Sequence, residues 1–158
     1  RGNVNTRLAK LDGGEFEAII LACAGLIRLG FEDRIGAAID PHLSLPAAGQ
    51  GAVGIEFREA DQRVRDLLVS LHHDGTAARV LAERAVVRRL NGGCDVPIAA
   101  FAEWEGDGLW LRARVGATDG TTLLEAEARG SDPEQLGQDV AESLLSQGAE
   151  DLIHAARG

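Results

Sequence analysis

Methionine and tyrosine are absent from this chain of 158 residues, and lysine occurs once, at Lys10. With no methionine anywhere, the polar opening RGNVNTRLAKLDGG runs straight into an apolar stretch. This reads as a chain entered in its middle, the product of processing or truncation. Only two cysteines are present, too few for a disulfide framework, and nothing points to an oxidising compartment. No apolar run approaches the roughly 18 residues needed to span a bilayer. A charged-then-apolar leader is also lacking, so no secretory signal is visible. Basic charge is scarce against acid, and the net charge of −9 argues against broad nucleic-acid or acidic-membrane binding. Internal repeats and low-complexity segments are missing.

What is present is ordinary globular chemistry: 45% hydrophobic and 26% charged residues. A chain of this length makes one domain or two small ones and buries roughly 70% of its unfolded surface. Residues 1–46 read as alternating helix and strand. Leu8 to Leu11 forms a helical turn stopped by Gly13-Gly14. The continuous apolar run AIILACAG, 18–25, predicts a strand buried on both faces, as in a parallel sheet. LIRLG, 26–30, is a helical turn ended by Gly30, and EDRIGAAI, 32–39, is a short helix closed by Pro41.

LPAAGQGAVGIEFR, 45–58, changes character. Its three close glycines suggest a hinge where backbone passes near another group. AVGIEF alternates into a strand, and DQRVRDLLVSLHH, 61–73, carries Val64, Leu67, Leu68 and Leu71 at helical spacing.

Residues 74–158 read as a compact α+β unit. Asp74 or Thr76 caps a helix with Val80, Leu81, Val87 and Leu90 on its apolar side, and Asn91-Gly92-Gly93 stops it. Three strands follow, at 98–104, 109–117 and 121–129. Glu105-Gly106-Asp107-Gly108 and Asp119-Gly120 join them as hairpins, so the sheet is antiparallel. Asp132 caps the last long helix, with Pro133 first and Gln135 closing a capping box. Leu136, Val140, Leu144 and Leu145 form its apolar stripe. Gly148 ends it, and AEDLIHAA makes a final helix.

Cys94 is the chemically suggestive residue, in RRLNGGCDVPIAA. Two glycines before it and a proline shortly after make a loop site. It is either a small turn residue or an attachment point. The electronegative helix end before it should raise the thiol pKa, which suits a tether better than a constitutive nucleophile. Cys23, inside the apolar run, reads as core packing. His42, His72, His73 and His154 are scattered without metal-ligand spacing. Fifteen arginines stand against the one lysine. Arg1, Arg7 and Arg28 lie on turns around the α/β part, where planar guanidinium groups suit carboxylates, although surface ion pairing explains any one of them equally well. GQGAVG lacks the context of a nucleotide fingerprint, and no Gly-x-Ser-x-Gly elbow occurs.

Taken together, RGNVNTRLAKLDGGEFEAIILACAGLIRLG, LPAAGQGAVGIEFR, LAERAVVRRLNGGCDVPIAAFA and LWLRARVGATDG resemble porphobilinogen deaminase, the hydroxymethylbilane synthase family. The resemblance runs almost end to end in the family's order, beginning in the middle of the family's sequence.

It implies a cytoplasmic transferase of tetrapyrrole and heme biosynthesis. The enzyme joins four porphobilinogen molecules with release of ammonia, on a dipyrromethane cofactor. The resemblance assigns the covalent thioether to Cys94, the carboxylate clamps to Arg1, Arg7 and Arg28, and a cleft-lining hinge residue to Gln50. The implied fold class is α/β plus α+β: partial periplasmic-binding-protein-like lobes, then a small domain with a three-stranded antiparallel sheet and helices. Residues 1–46 would be the latter part of the second domain, 47–73 the hinge and return into the first, and 74–158 the domain carrying the cysteine.

No aspartate here matches the family's catalytic one, and Asp95 is not assigned that role. No catalytic residue is therefore expected in this chain, and no turnover by it alone. The implied partners are porphobilinogen and, if the enzyme is split, its N-terminal half; the complete enzyme would be a monomer. No nucleic acid, membrane or metal partner is expected. The competing readings are a carboxylate-binding α/β module with Cys94 a structural thiol, and a redox or scaffold protein using a free thiol.

Overall fold

The computed structural model describes residues 2–93 and 95–158. The chain divides into two compact units, Arg1–Asp40 and Pro41–Gly158.

In the first unit, Val4–Asp12 forms α1. Asn3 caps it, its side-chain oxygen accepting from Thr6 N at 2.9 Å. The helix stops at Gly13-Gly14 as expected, with Gly14 in the left-handed region at φ 75°. Cys23–Arg28 forms α2, ended at Gly30 with φ 74°. Leu8 and Leu26 are the buried apolar residues here, and Arg34 pairs with Asp12.

Three expectations fail in this unit. The run 18–25 is not a strand: 18–22 has no regular structure, 23–25 opens α2, and Ile20 is 75% exposed. A strand is a pairing and not a local conformation, and no partner strand lies beside it among the described residues. Cys23, expected in the core, is half-buried in the first turn of α2. The helix expected over 32–39 shrinks to a 3-10 turn, Glu32–Arg34. Gly36 weakens its middle, and a helix this short needs packing to persist.

In the second unit, Gln62–Leu68 forms α3, continued by a 3-10 turn Val69–Leu71, which matches the expected helix over 61–73. The strand expected at AVGIEF is absent, and Val53 is 89% exposed. The same lack of a partner strand accounts for it.

Asp74–Arg89 forms α4. Three strands follow, β1 Ile98–Glu105, β2 Gly108–Gly116 and β3 Leu123–Gly130, in the order β1-β2-β3 and antiparallel throughout. Pro133–Ser146 forms α5 and Ala149–Arg157 forms α6. The hairpin at Gly106-Asp107 and the antiparallel sheet agree with the sequence reading.

Period-2 alternation sets the two faces of this sheet. Leu109, Leu111, Ala113 and Val115 of β2 are buried in the core with Ala100 and Ala102 of β1. Val86 and Leu90 of α4, and Leu136, Val140 and Leu144 of α5, complete it. Each fully buried Leu or Val contributes about 1.5–3 kcal/mol relative to exposure.

The apolar side of α4 differs from expectation. Ala82, Ala85 and Val86 face inward, while Leu81 is half-exposed. The cause is α5, whose Gly137 lies directly on Ala82 and Ala85. A Cβ on Gly137 would stand 2.5 Å from Ala82 O and nearer still to Ala85 Cβ. Small residues on both helices permit this approach, and a leucine face would hold the axes apart.

Helix caps were read partly right. His73 caps α4 through Nδ1, which accepts from Thr76 N at 3.1 Å, so Asp74 is the first helical residue and not the cap. Asp132 caps α5 by accepting from Gln135 N at 2.9 Å. The reciprocal half of the capping box is missing, because Gln135 Nε2 donates to Asp139 Oδ1 instead.

Candidate functional site

The loop between α4 and β1 carries the most specific sequence signal. Cys94 itself lies outside the described residues, as does Arg1, but the residues around Cys94 are described. Asn91 takes a left-handed φ of 49° as α4 ends. Gly92 is closely packed: a Cβ there would sit 2.6 Å from Ile98 Cδ1 and 3.3 Å from Val87 Cγ1, so the Ile98 side chain would have to turn aside. Gly93 and Asp95 are exposed, whereas Val96 plugs the core at 7% exposure. The loop is thus anchored at its ends and open between them.

Arg157, at the end of α6, braces it. Its Nη2 donates to Asn91 O, and its Nε lies 3.7 Å from Asp95 Oδ2. Sequence reading missed Arg157, because α6 is distant in the chain and nothing local marks its last residue.

Arg7 and Arg28 belong to the first unit. Arg7 is exposed on α1, with Nε donating to Gly2 O at 3.0 Å. Arg28 is exposed at the end of α2. No hydrogen bond or ion pair joins them among the described residues, and neither guanidinium is engaged by a carboxylate there. Planar cations in this state can take up carboxylates from outside.

Gln50 belongs to the second unit, exposed on a turn between two left-handed glycines, Gly49 at φ 73° and Gly51 at φ 84°. Here glycine is needed, since side-chain-bearing residues rarely adopt such φ values. Gln50 N donates to Ala47 O and Ala52 N to Gly49 O, at 3.0 and 3.1 Å.

A buried carboxylate, overlooked in the sequence, reaches this turn. Glu83 on α4 is 5% exposed. Its Oε2 accepts from Gly49 N at 2.6 Å and its Oε1 from Ala102 N at 2.9 Å. Burial raises its pKa above the ordinary glutamate range; the two backbone donors and the nearby Arg79 charge pull it back only in part. The available signal was an acid three residues after Val80 and four before Val87, and so on the side of α4 expected to be apolar.

The sheet's other face holds Arg112, 7% exposed, ion-paired to Glu103 and 4.0 Å above the Trp110 ring. Arg114 donates to His42 O at 3.1 Å and Leu43 O at 3.2 Å. Both arginines line a cavity of about 330 Å³ with Glu125 and Glu127. With acids and bases interleaved, this face holds the 42–43 segment against the sheet and offers no surplus of either sign.

Comparison with known families is decisive. Residues 1–66 match the model described as porphobilinogen deaminase, dipyromethane cofactor binding domain. Residues 77–146 match porphobilinogen deaminase, C-terminal domain. The two lie in series with little left between them.

The chain belongs to the porphobilinogen deaminase family.

Family membership makes it a chain of the transferases of tetrapyrrole biosynthesis, with a segment of the cofactor-binding type. The mixed helices and three-stranded antiparallel sheet of the second unit agree with the C-terminal domain. No helix among the described residues is long and apolar enough to cross a membrane.

Proposed function

We propose that this chain carries the cofactor-holding part of a hydroxymethylbilane synthase. In this reading Cys94 is the thioether anchor of dipyrromethane, and Arg1, Arg7 and Arg28 bind the acetate and propionate groups of the pyrrole chain. Gln50 lines the cleft. The observation that carries the reading is the serial match of both porphobilinogen deaminase models, with Gly-Gly-Cys-Asp-Val-Pro falling inside the second.

The residues present fit the cofactor. The exposed guanidinium groups of Arg7 and Arg28 suit carboxylates. A bulky group attached between exposed Gly93 and Asp95 need not enter the packed core. When bound, dipyrromethane supplies the primer on which porphobilinogen units are joined. The chain's own part is to tether, to neutralise carboxylates and to position. Uniform arginine clamps grip every ring alike, so a lengthening product can shift along them. Cys94 follows a helix C-terminus, an electronegative setting that favours a tether over an activated thiolate.

Residues 1–46 are, in this reading, the latter part of a periplasmic-binding-protein-like lobe, and the α+β unit is the third domain. Domain limits of 1–46, 47–73 and 74–158 follow from the family pattern. The exposed Ile20, Val53, Ile55, Leu67 and Leu71 are what segments lacking their packing partners would present. Proton handling falls to the family's aspartate, which no aspartate of this chain matches, so no turnover is expected of the chain alone. It acts in the cytoplasm, as part of a monomeric enzyme.

The test is intact mass of protein purified from cells, with an acidic aldehyde reagent that colours pyrroles. With the family's N-terminal half co-expressed, the expected result is an added mass of two linked pyrroles, lost in Cys94→Ser. An unmodified thiol in that complex refutes the reading. Turnover of porphobilinogen by the chain alone refutes the assignment of proton handling elsewhere.

A further inference from the structure

The Glu83 carboxylate joins three pieces of chain that are remote in sequence. It stands on α4, takes Ala102 N of β1 on one oxygen and takes Gly49 N of the Gly-Gln-Gly turn on the other. β1 is an edge strand. Two of its N–H groups point away from β2: Ala100 N donates to Pro46 O at 3.2 Å, and Ala102 N donates to Glu83. An edge left open would expose unpaired donors. Pro46 and Glu83 close it, and between their contacts Ala48 packs against the core.

The chemistry of the group matters. An ionised carboxylate is acceptor-only and has two oxygens, so it can receive both N–H groups at once. A glutamine of the same length would set its own N–H₂ against one of the two donors. A shorter aspartate would keep the charge and lose the reach. Simple edge capping would need one acceptor, whereas Glu83 has its second oxygen on the turn.

We propose that Glu83 is a positioning residue that latches the Gly49-Gln50-Gly51 turn to the α+β unit and thereby sets where Gln50 stands. Gly49 and Gly51 hold left-handed φ values on either side of Gln50, and two backbone hydrogen bonds, Gln50 N to Ala47 O and Ala52 N to Gly49 O, close the turn around it. Fixing Gly49 N then places the Gln50 Cα. The latch follows from the contacts alone; its consequence for the cofactor rests on the reading above, in which Gln50 lines the cleft.

Backbone amide exchange of the full chain, followed by NMR in the parent, Glu83→Gln and Glu83→Asp, tests it. In Glu83→Gln, exchange at Gly49, Gln50 and Ala52 should quicken by roughly 10- to 100-fold, the loss of one charge-assisted hydrogen bond. Leu111 and Val115 at the sheet centre should keep their protection. Glu83→Asp should release the turn in the same way if it folds, and the glutamine variant suffices if it does not. Two outcomes overturn the latch: faster exchange at Ala102 with Gly49 unchanged, which makes Glu83 an edge cap only, and uniform loss of protection over the whole unit, which makes it a core residue only. Pyrrole loading at Cys94 is scored separately, so a failed cofactor reading leaves the exchange result standing.

Discussion

Gly137→Ala should destabilise the second unit, against the usual helix preference. Alanine in place of an interior helical glycine ordinarily stabilises by about 1 kcal/mol. At Gly137 the added methyl would stand 2.5 Å from Ala82 O, 3.2 Å from Val86 N and too close to Ala85 Cβ. Two of these three obstacles are backbone atoms of α4, which cannot rotate aside. The helices must therefore separate by roughly 1 Å, opening the layer that Val86, Val140 and Leu144 fill. Overpacking of this kind costs about 1–3 kcal/mol, and a rigid backbone obstacle puts it at or above the upper end. After the propensity gain is subtracted, the net loss is about 2 kcal/mol. For a unit of this size that lowers Tm by about 8 °C.

Thermal and urea unfolding, read by far-UV circular dichroism and by Trp104 and Trp110 fluorescence, measure it. Gly25→Ala in α2 is the control, since nothing lies within 4 Å of its added methyl. It should show no such loss. If Gly137→Ala is as stable as the parent, the close approach of α4 and α5 is not what holds the core together.

Three further outcomes are expected. Asp132→Ala removes the α5 cap and should cost about 1 kcal/mol in urea unfolding, with Asp132→Asn restoring most of it. Glu83 binds its proton more tightly when folded than unfolded, because burial raises its pKa. Its contribution to stability is thus complete below the unfolded value and is lost as pH rises through the folded one. Relative to the parent, Glu83→Gln should therefore gain stability as pH rises above the ordinary glutamate range; a parent that gains over the variant as pH rises contradicts the sign. Arg157→Ala should quicken amide exchange at Gly93 and Asp95 while α4 and α5 keep theirs, and unchanged loop exchange would show that Arg157 does not brace the loop.

The sequence by itself determined the elements of the α+β unit and the pairing of its sheet. Hairpin glycines, period-2 runs over 98–129 and the Asp132-Pro133 cap are local signals, and each strand found its partner within a few residues. The family was legible too, because its motifs are stretches of residue identity and need no geometry.

Failures came where a decision needed a distant partner. AIILACAG and AVGIEF carry strand composition, but a strand exists only when another strand accepts its hydrogen bonds, and none lies beside them among the described residues. The inward face of α4 was set by Gly137, some fifty residues later, so alanines were buried and Leu81 was left at the surface. Glu83 and Arg157 escaped notice for the same reason. Their partners, Gly49 with Ala102 and Asn91 with Asp95, reach them only after folding. Local periodicity and turn chemistry can be read along the chain, whereas which face is buried, and which charge is enclosed, is decided by what packs against it.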